Sequence, residues 1–177
     1  MERTVSRGSE VNSGIMPRID FKLVEVVVFR IRTNPEFLVL RRSDDDEIYP
    51  GLWQLVSGGI EKDEKAFEAA HREVIEETGI EPDSMYNTPL TNVFYFYTSD
   101  TVNVSPVFAA LAGKDAQVKL SQEHSEYKWL NLDEAISLLV WPGQRDAVQK
   151  VYDYIVLKNP AQPFMEIMSM RKSEKPI

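Results

Sequence analysis

Five glutamates fall within fourteen residues of one apparent helix, in the stretch "SGGIEKDEKAFEAAHREVIEETGI" that runs from Ser57 to Ile80. A rotation of about 100° per residue places Glu76 and Glu77 within about 60° of Glu73, so these three carboxylates share one stripe. Like charges at this spacing repel each other by roughly a few tenths of a kcal/mol per pair. Oxygen ligands at this density suit Mg²⁺ or Mn²⁺, and the stripe therefore predicts a divalent-metal site.

The residues around the stripe are of the types that support such a site. The turn before the helix carries Gly58 and Gly59, whose carbonyls can add neutral oxygen ligands with no side chain in the way. Arg72 is the one cation in the row "REVIEE" and can hold a neighbouring carboxylate in place. Ala70 and Val74 fall on the adjacent stripe, so the helix can bury them while the carboxylates border the buried edge. The alternative is a solvated helix with an acidic outer face.

The spacing of the fixed residues resembles the complete Nudix box, G-x5-E-x7-R-E-U-x-E-E-x-G-U, where U is aliphatic. Gly58, Glu64 and the run from Arg72 to Ile80 match all seven fixed positions and both aliphatic ones. The preceding "EFLVLRR…YPGLWQLVSGG" is similar to the strand, loop and Trp-containing lead-in of that family. The resemblance implies an α/β fold, the Nudix α/β/α sandwich with a mixed β-sheet between helices.

The resemblance also implies hydrolysis of a nucleoside diphosphate linked to another group, with Mg²⁺ as cofactor and Mn²⁺ as a substitute. Carried over by position, it assigns Glu73, Glu76 and Glu77 as metal ligands and Gly58 and Gly59 as carbonyl ligands. It also assigns Arg72 as the cation that orients a carboxylate and Glu64 as a supporting residue.

A general base is needed as well. Metal ions neutralise a pyrophosphate bridge and lower the pKa of a bound water, but a carboxylate must take the proton. Glu73 is one candidate, and Glu123 in "LSQEHSEYKWL" is another, although a loop acid is often only solvated. We count Glu77 and Arg72 with the catalytic groups too.

Four residues outside the box are candidate substrate contacts. Arg41 and Arg42 end a strand and can reach phosphates, or they pair with the acidic loop "DDDE". Trp53 belongs to the lead-in. Some dinucleoside polyphosphate hydrolases carry a Tyr about 17 residues after the box, and Tyr97 fits that position.

The C-terminal half resembles the bacterial branch that hydrolyses dihydroneopterin triphosphate and (deoxy)nucleoside triphosphates. We expect Trp129 and Trp141 to pack in the core, His71 to lie beside the buried stripe, and His124 to approach the site. The matching residues are Glu123, His124, Tyr127, Lys128, Trp129, Leu130, Trp141, Arg145 and Ala147.

The composition of the chain limits which classes of partner are expected. The chain has 177 residues, which suggests one domain, and its net charge of −8 disfavours nucleic acid and anionic membranes. It contains no cysteine, which excludes disulfides, thiolate catalysis and Cys-based zinc sites and fits a cytoplasmic location. The sequence has no apolar run of about 18 residues, so we expect no membrane span. A homodimer is compatible with the sequence.

The pattern predicts a flexible tail over 1–17, one domain over 18–158 and a tail over 159–177 that packs on the domain or a partner, or stays loose. Asp63 is the expected N-cap of the glutamate helix, Gly79 its end, and Pro106 indicates an edge or bulged strand. Strands are expected over 22–32, 36–42, 52–59, 91–99, 103–113 and 126–132, and further helices over 133–140 and 143–158.

Together these features predict an Mg²⁺-dependent pyrophosphohydrolase that acts on a nucleotide or pterin triphosphate and releases pyrophosphate. Two alternatives stay open. One is a dinucleoside polyphosphate hydrolase, and the other is a Nudix-fold nucleotide-binding module without catalysis.

Overall fold

The computed structural model describes residues 16–169, so most of the expected N-terminal tail and residues 170–177 lie outside the described residues. Within that range nine strands form one mixed sheet. The strands are β1 (Arg18–Asp20), β2 (Leu23–Ile31), β3 (Pro35–Arg42), β4 (Trp53–Gln54), β5 (Val56–Gly59), β6 (Ser84–Phe96), β7 (Thr101–Ala112), β8 (His124–Leu130) and β9 (Glu166–Ser169). The helices are α1 (Ala66–Thr78), α2 (Leu132–Leu138) and α3 (Pro142–Val151), which continues as a π-helical turn over Tyr152–Val156.

The centre of the sheet is the parallel pair of β2 and β7, with Glu25–Arg30 against Val107–Ala112. β6 pairs antiparallel with β7, and β9 with β6. The other edge of β2 is divided, because β5 pairs with Leu23–Val26 and β3 pairs with Phe29–Ile31. The predicted C-terminal tail therefore contributes a strand, β9, to the sheet.

Helices cover both faces of this sheet. Val24, Val26 and Val28 pack toward α1, whereas Val27 and Phe29 pack toward α2 and α3. The alternation follows from the two-residue period of a strand, and burial on both faces explains why β2 reads as an almost unbroken apolar run. The predicted α/β/α sandwich is confirmed.

The start of α1 differs from the prediction. The N-cap is Lys65, whose backbone N–H donates to the Glu68 carboxylate at 2.9 Å. Asp63 lies in the preceding turn with φ 66°, so it cannot be the cap. Gly79 ends the helix with φ 67°, as expected.

The hairpin of β6 and β7 also differs from the prediction. β6 begins at Ser84, seven residues before the expected start, and β7 is a central strand. Pro106 sits between the segment of β7 that pairs with β1 and the segment that pairs with β2. The register of β6 shifts between Asn87 and Thr91 opposite this point, so Pro106 is accommodated at an irregularity. In the described range, no helix has the length and apolarity that crossing a membrane requires.

Replacing Gly79 by Ala should lower the free energy of unfolding by about 1–2 kcal/mol, because a Cβ is strained at a left-handed φ. That Cβ would also lie 3.1 Å from Cβ of Lys119. Urea unfolding measures the change. Gly113→Ala is the matched control, since no atom lies within 4 Å of its added Cβ. Equal stabilities of the two variants would contradict this account of the helix end.

Candidate active site

Helix α1 lies directly against β5, and this packing places its carboxylates. Ala69, Ala70 and Val74 are fully buried on the sheet. A Cβ on Gly58 would overlap the carboxylate of Glu73, so the absence of a side chain here leaves the space that this carboxylate occupies. Gly58, which the structure places in β5 and not in a turn, thus determines where Glu73 lies.

Arg72 connects the loop before α1 with the helix carboxylates. Its guanidinium donates to Glu64 (2.9 and 3.0 Å), to Glu73 (2.7 Å), to Glu76 (2.9 Å) and to the carbonyl of Gly59 (2.7 Å). The bonds to Glu64, then those to Glu73 and Glu76, raise the pKa of Arg72 far above its usual range. Five charge-assisted bonds fix the loop, the helix and the end of β5 relative to one another.

The three carboxylates of the stripe have different environments. Glu77 is buried, Glu73 is half-buried and Glu76 is exposed. Burial raises the pKa of Glu77 to about 9, and the neighbouring charges of Glu73 and Glu123 act in the same direction. One Glu77 oxygen accepts from the Ser57 backbone N–H at 3.4 Å, and the other, Oε2, has no hydrogen-bond partner among residues 16–169.

Two residues at the start of β8 lie near these glutamates. Glu123 is exposed, and its charge contributes to the raised pKa values of both Glu73 and Glu77, after burial. His124 is buried, with Nε2 at 3.8 Å from Glu77 Oε2. Burial, and then Arg42, lower the pKa of His124 to about 4. The imidazole is therefore neutral at physiological pH and is not an ion-pair partner of Glu77.

The donor set fits a divalent cation, although the carboxylates are engaged with Arg72. Across the described residues no three His, Asp or Glu side chains converge as a ready cation site. Arg72 holds Glu73 and Glu76, and it also occupies the Gly59 carbonyl. The buried Glu77 oxygen without a partner is what a hard cation would satisfy, because a bound cation stabilises an ionised carboxylate in a desolvated position.

A cavity of about 670 Å³ adjoins this cluster, which is a size typical of small-molecule sites. Ser57, Gly58 and Arg42 line it near the glutamates. Arg42 pairs with Asp46, and its buried Nε has no partner within the described range.

Arg41 has other contacts. It bonds Asp44 at 2.7 Å and Ser125 at 3.0 Å, and it does not line the cavity. Of the two predicted phosphate contacts, the structure therefore brings only Arg42 to the cavity.

The aromatic residues singled out in the sequence also differ in whether they line the cavity. Trp53 is half-buried under Lys128, whose Nζ lies 4.6 Å from the ring centroid, and Tyr97 is 79% exposed; neither lines the cavity. Trp129 packs on the α1 side of the core, as expected. The expectation that Trp141 is a core residue is wrong, because it is 39% exposed and lines the cavity with its ring 5.0 Å from that of Tyr49.

His71 is half-buried and bonds Glu81 at 2.9 Å, away from the glutamate cluster.

Sequence reasoning missed a set of buried polar residues in the cavity. One signal for them existed, because Glu25 interrupts the apolar run "LVEVVVF" of β2. A carboxylate in a strand that is buried on both faces needs a specific partner. The missed residues are Glu25, Asn92, Ser105 and Gln144.

Comparison with known proteins agrees with the fold and the motif. The sequence model of the NUDIX domain family matches residues 22–151 of this chain. The asymmetrical bis(5'-nucleosyl)-tetraphosphatase of Rattus norvegicus is 31% identical over 127 residues, which cover 70% of this chain and 82% of that protein.

Two solved structures are similar as well. A protein of Listeria monocytogenes assigned to the Nudix hydrolases is 31% identical, with a TM-score of 0.65 over 78% of this chain and 95% of that one. The dihydroneopterin triphosphate pyrophosphohydrolase of E. coli is 26% identical, with a TM-score of 0.63 over 77% of this chain and 98% of that one. With the intact motif on α1, these matches establish that the chain belongs to the Nudix family of hydrolases.

Proposed function

We propose that the protein is an Mg²⁺-dependent pyrophosphohydrolase of a nucleoside or pterin triphosphate, which it splits into a monophosphate and pyrophosphate. The observation that carries the proposal is the buried carboxylate of Glu77, one oxygen of which has no partner in the described range. Glu77 accepts from the Ser57 backbone N–H and Glu73 lies against Gly58, and both Ser57 and Gly58 line a cavity of suitable size for a nucleotide.

Each protein group has a distinct part in the proposed reaction. Nudix hydrolases generally use divalent metal ions such as Mg²⁺, which supply charge neutralisation of the anhydride and a lowered pKa of a bound water. Glu73 and Glu77 would hold the ion, with Glu76 in reach on the same helix. Arg72 keeps Glu73 oriented through its 2.7 Å bond. Arg42, with a buried Nε that lacks a partner among residues 16–169, would donate to phosphate oxygens.

The proton of the attacking water must go to a carboxylate. Glu123 is exposed, and its charge acts on the half-buried Glu73 and the buried Glu77, which suits a group that exchanges protons with solvent. Glu73 is the other candidate, but its Oε1 already accepts from Arg72. We therefore favour Glu123 as the general base.

A dinucleoside polyphosphate hydrolase is the second candidate. The rat relative, a bis(5'-nucleosyl)-tetraphosphatase matched over 82% of its length, favours it. Tyr97 adds little support for this activity, because its side chain is 79% exposed and does not line the cavity.

A substrate panel with Mg²⁺ should show turnover of (d)NTPs or dihydroneopterin triphosphate, with pyrophosphate and a monophosphate as products. Anion-exchange chromatography of the phosphate-containing products of each reaction identifies the bond that is broken. Diadenosine tetraphosphate cleaved to ATP and AMP, with slower turnover of triphosphates, would favour the second candidate. Absence of hydrolysis of every anhydride by folded protein would leave only a binding module.

Glu77→Gln should reduce kcat/KM on the order of 10²–10³-fold or more, because it removes a charged ligand at a buried position. The fold should persist. The raised pKa means that the ionised carboxyl destabilises the metal-free fold as pH rises from about 4.5 to about 9, and neutral Gln removes this effect. The melting temperature at pH 7 without metal should therefore be unchanged or higher.

Glu68→Gln is the matched control for this variant. It makes the same chemical change on the same helix, and Gln can still accept the capping bond from Lys65. Its activity should be close to that of the wild type. Comparable losses in both variants would mean that the helix carboxylates act only on stability.

A further inference from the structure

Four polar side chains are buried together in the cavity wall away from α1. Glu25, Asn92, Ser105 and Gln144 all line the cavity, and none is more than 8% exposed. They come from β2, β6, β7 and α3, so four separate elements converge on this polar cluster. Burial of polar groups is costly unless they have partners, and their concentration at one place therefore requires an explanation.

The cluster is only partly satisfied by protein atoms. Asn92 Nδ2 donates to Glu25 Oε2 at 2.6 Å. Ser105 Oγ and Gln144 Oε1 have no hydrogen-bond partner among residues 16–169. An unpaired amide oxygen beside a carboxylate indicates a ligand that brings hydrogen-bond donors, and the unpaired hydroxyl can accept from such a ligand or donate to it.

Backbone geometry holds Asn92 against the carboxylate. Asn92 lies directly opposite Ser105 in the antiparallel register of β6 and β7. Gly143, the second residue of α3, lies beside it, and a Cβ there would lie 2.6 Å from Asn92 Oδ1. The side chain of Asn92 is therefore confined between α3 and Glu25.

The cavity also has an aromatic wall. Tyr49 and Trp141 line it with ring centroids 5.0 Å apart. Aromatic walls combined with a few converging polar groups are typical of sites for planar ring ligands. The glutamate cluster is close by, because Glu25 pairs with Ser57 in the sheet and Ser57 bonds Glu77.

The donor pattern of the ring can be deduced from the acceptors. A 2-amino-4-oxopyrimidine ring presents an amino group and an adjacent ring N–H, two neighbouring donors that a carboxylate accepts together. Adenine and cytosine place an acceptor nitrogen beside their amino group, and uracil has one N–H between two carbonyls. Guanine and pterin both contain the 2-amino-4-oxopyrimidine ring.

We infer that this polar cluster binds the 2-amino-4-oxopyrimidine edge of the substrate, with Glu25 as the residue that determines specificity. The inference rests on the proposed function and specifies its substrate class. Asn92 holds the carboxylate in place, and Gln144 and Ser105 bind the remaining polar atoms of the ring. Burial raises the pKa of Glu25 to about 7, and bound N–H donors favour its ionised form.

Glu25→Gln tests the assignment, since the amide keeps the size and can still accept from Asn92. The kcat/KM values for dGTP, dihydroneopterin triphosphate, dATP, dCTP and dUTP are measured with Mg²⁺. Wild type should prefer dGTP or dihydroneopterin triphosphate by about tenfold or more, and the variant should lose about 10- to 100-fold on the preferred substrate, mainly through KM. The relative values for these two substrates distinguish a nucleotide from a pterin.

Two further variants protect the test from a folding artefact. Gln144→Leu should weaken the same preference, and Glu36→Gln, on the same sheet but outside the cavity, should keep it. Thermal melting checks the fold of each protein. Calorimetry of GMP and AMP binding to metal-free protein reads recognition of the base without catalysis.

The outcomes separate this inference from the proposed function. Equal kcat/KM for all bases, or an unchanged preference in Glu25→Gln, overturns the inference while the hydrolase stands. Selective GMP binding that Glu25→Gln abolishes, without hydrolysis of any anhydride, supports the inference and overturns the proposed function.

Discussion

The guanidinium of Arg72 joins the loop before α1, the helix itself and Gly59 at the end of β5 through five hydrogen bonds. It neutralises part of the repulsion between carboxylates that would otherwise destabilise the helix. Its bonds to Glu73 and Glu76 also mean that a cation must share or displace these contacts. The same interaction therefore stabilises the fold and presents the acidic groups.

The site uses both faces of the sheet. Val24 packs toward α1, where Glu73 and Glu77 lie, and Glu25, the next residue of β2, belongs to the opposite face, while both residues line the cavity. The two sides are close because Glu25 pairs with Ser57 of β5, and the Ser57 backbone N–H donates to Glu77. Metal chemistry and ring recognition can then be placed within a few residues of one strand, with the cavity joining them.

Short-range sequence patterns predict much of the fold and the acidic half of the site. The helix period, Gly79 and the apolar run of β2 depend on neighbouring residues, and the sandwich follows from them. The helix α1 begins later than the predicted N-cap Asp63 because the Glu68 side chain accepts from the backbone N–H of Lys65, three residues before it. Trp141 and the polar cluster depend on contacts distant in sequence, which no local spacing reveals.

The central claim, that Glu73 and Glu77 hold the divalent ion, is tested most directly by anomalous diffraction from crystals soaked in Mn²⁺. The account predicts an anomalous peak within bonding distance of a carboxylate oxygen of each residue, at the end of the cavity lined by Gly58. A peak only at the acidic loop 44–46, or no peak under conditions in which the crystals hydrolyse substrate, would contradict it.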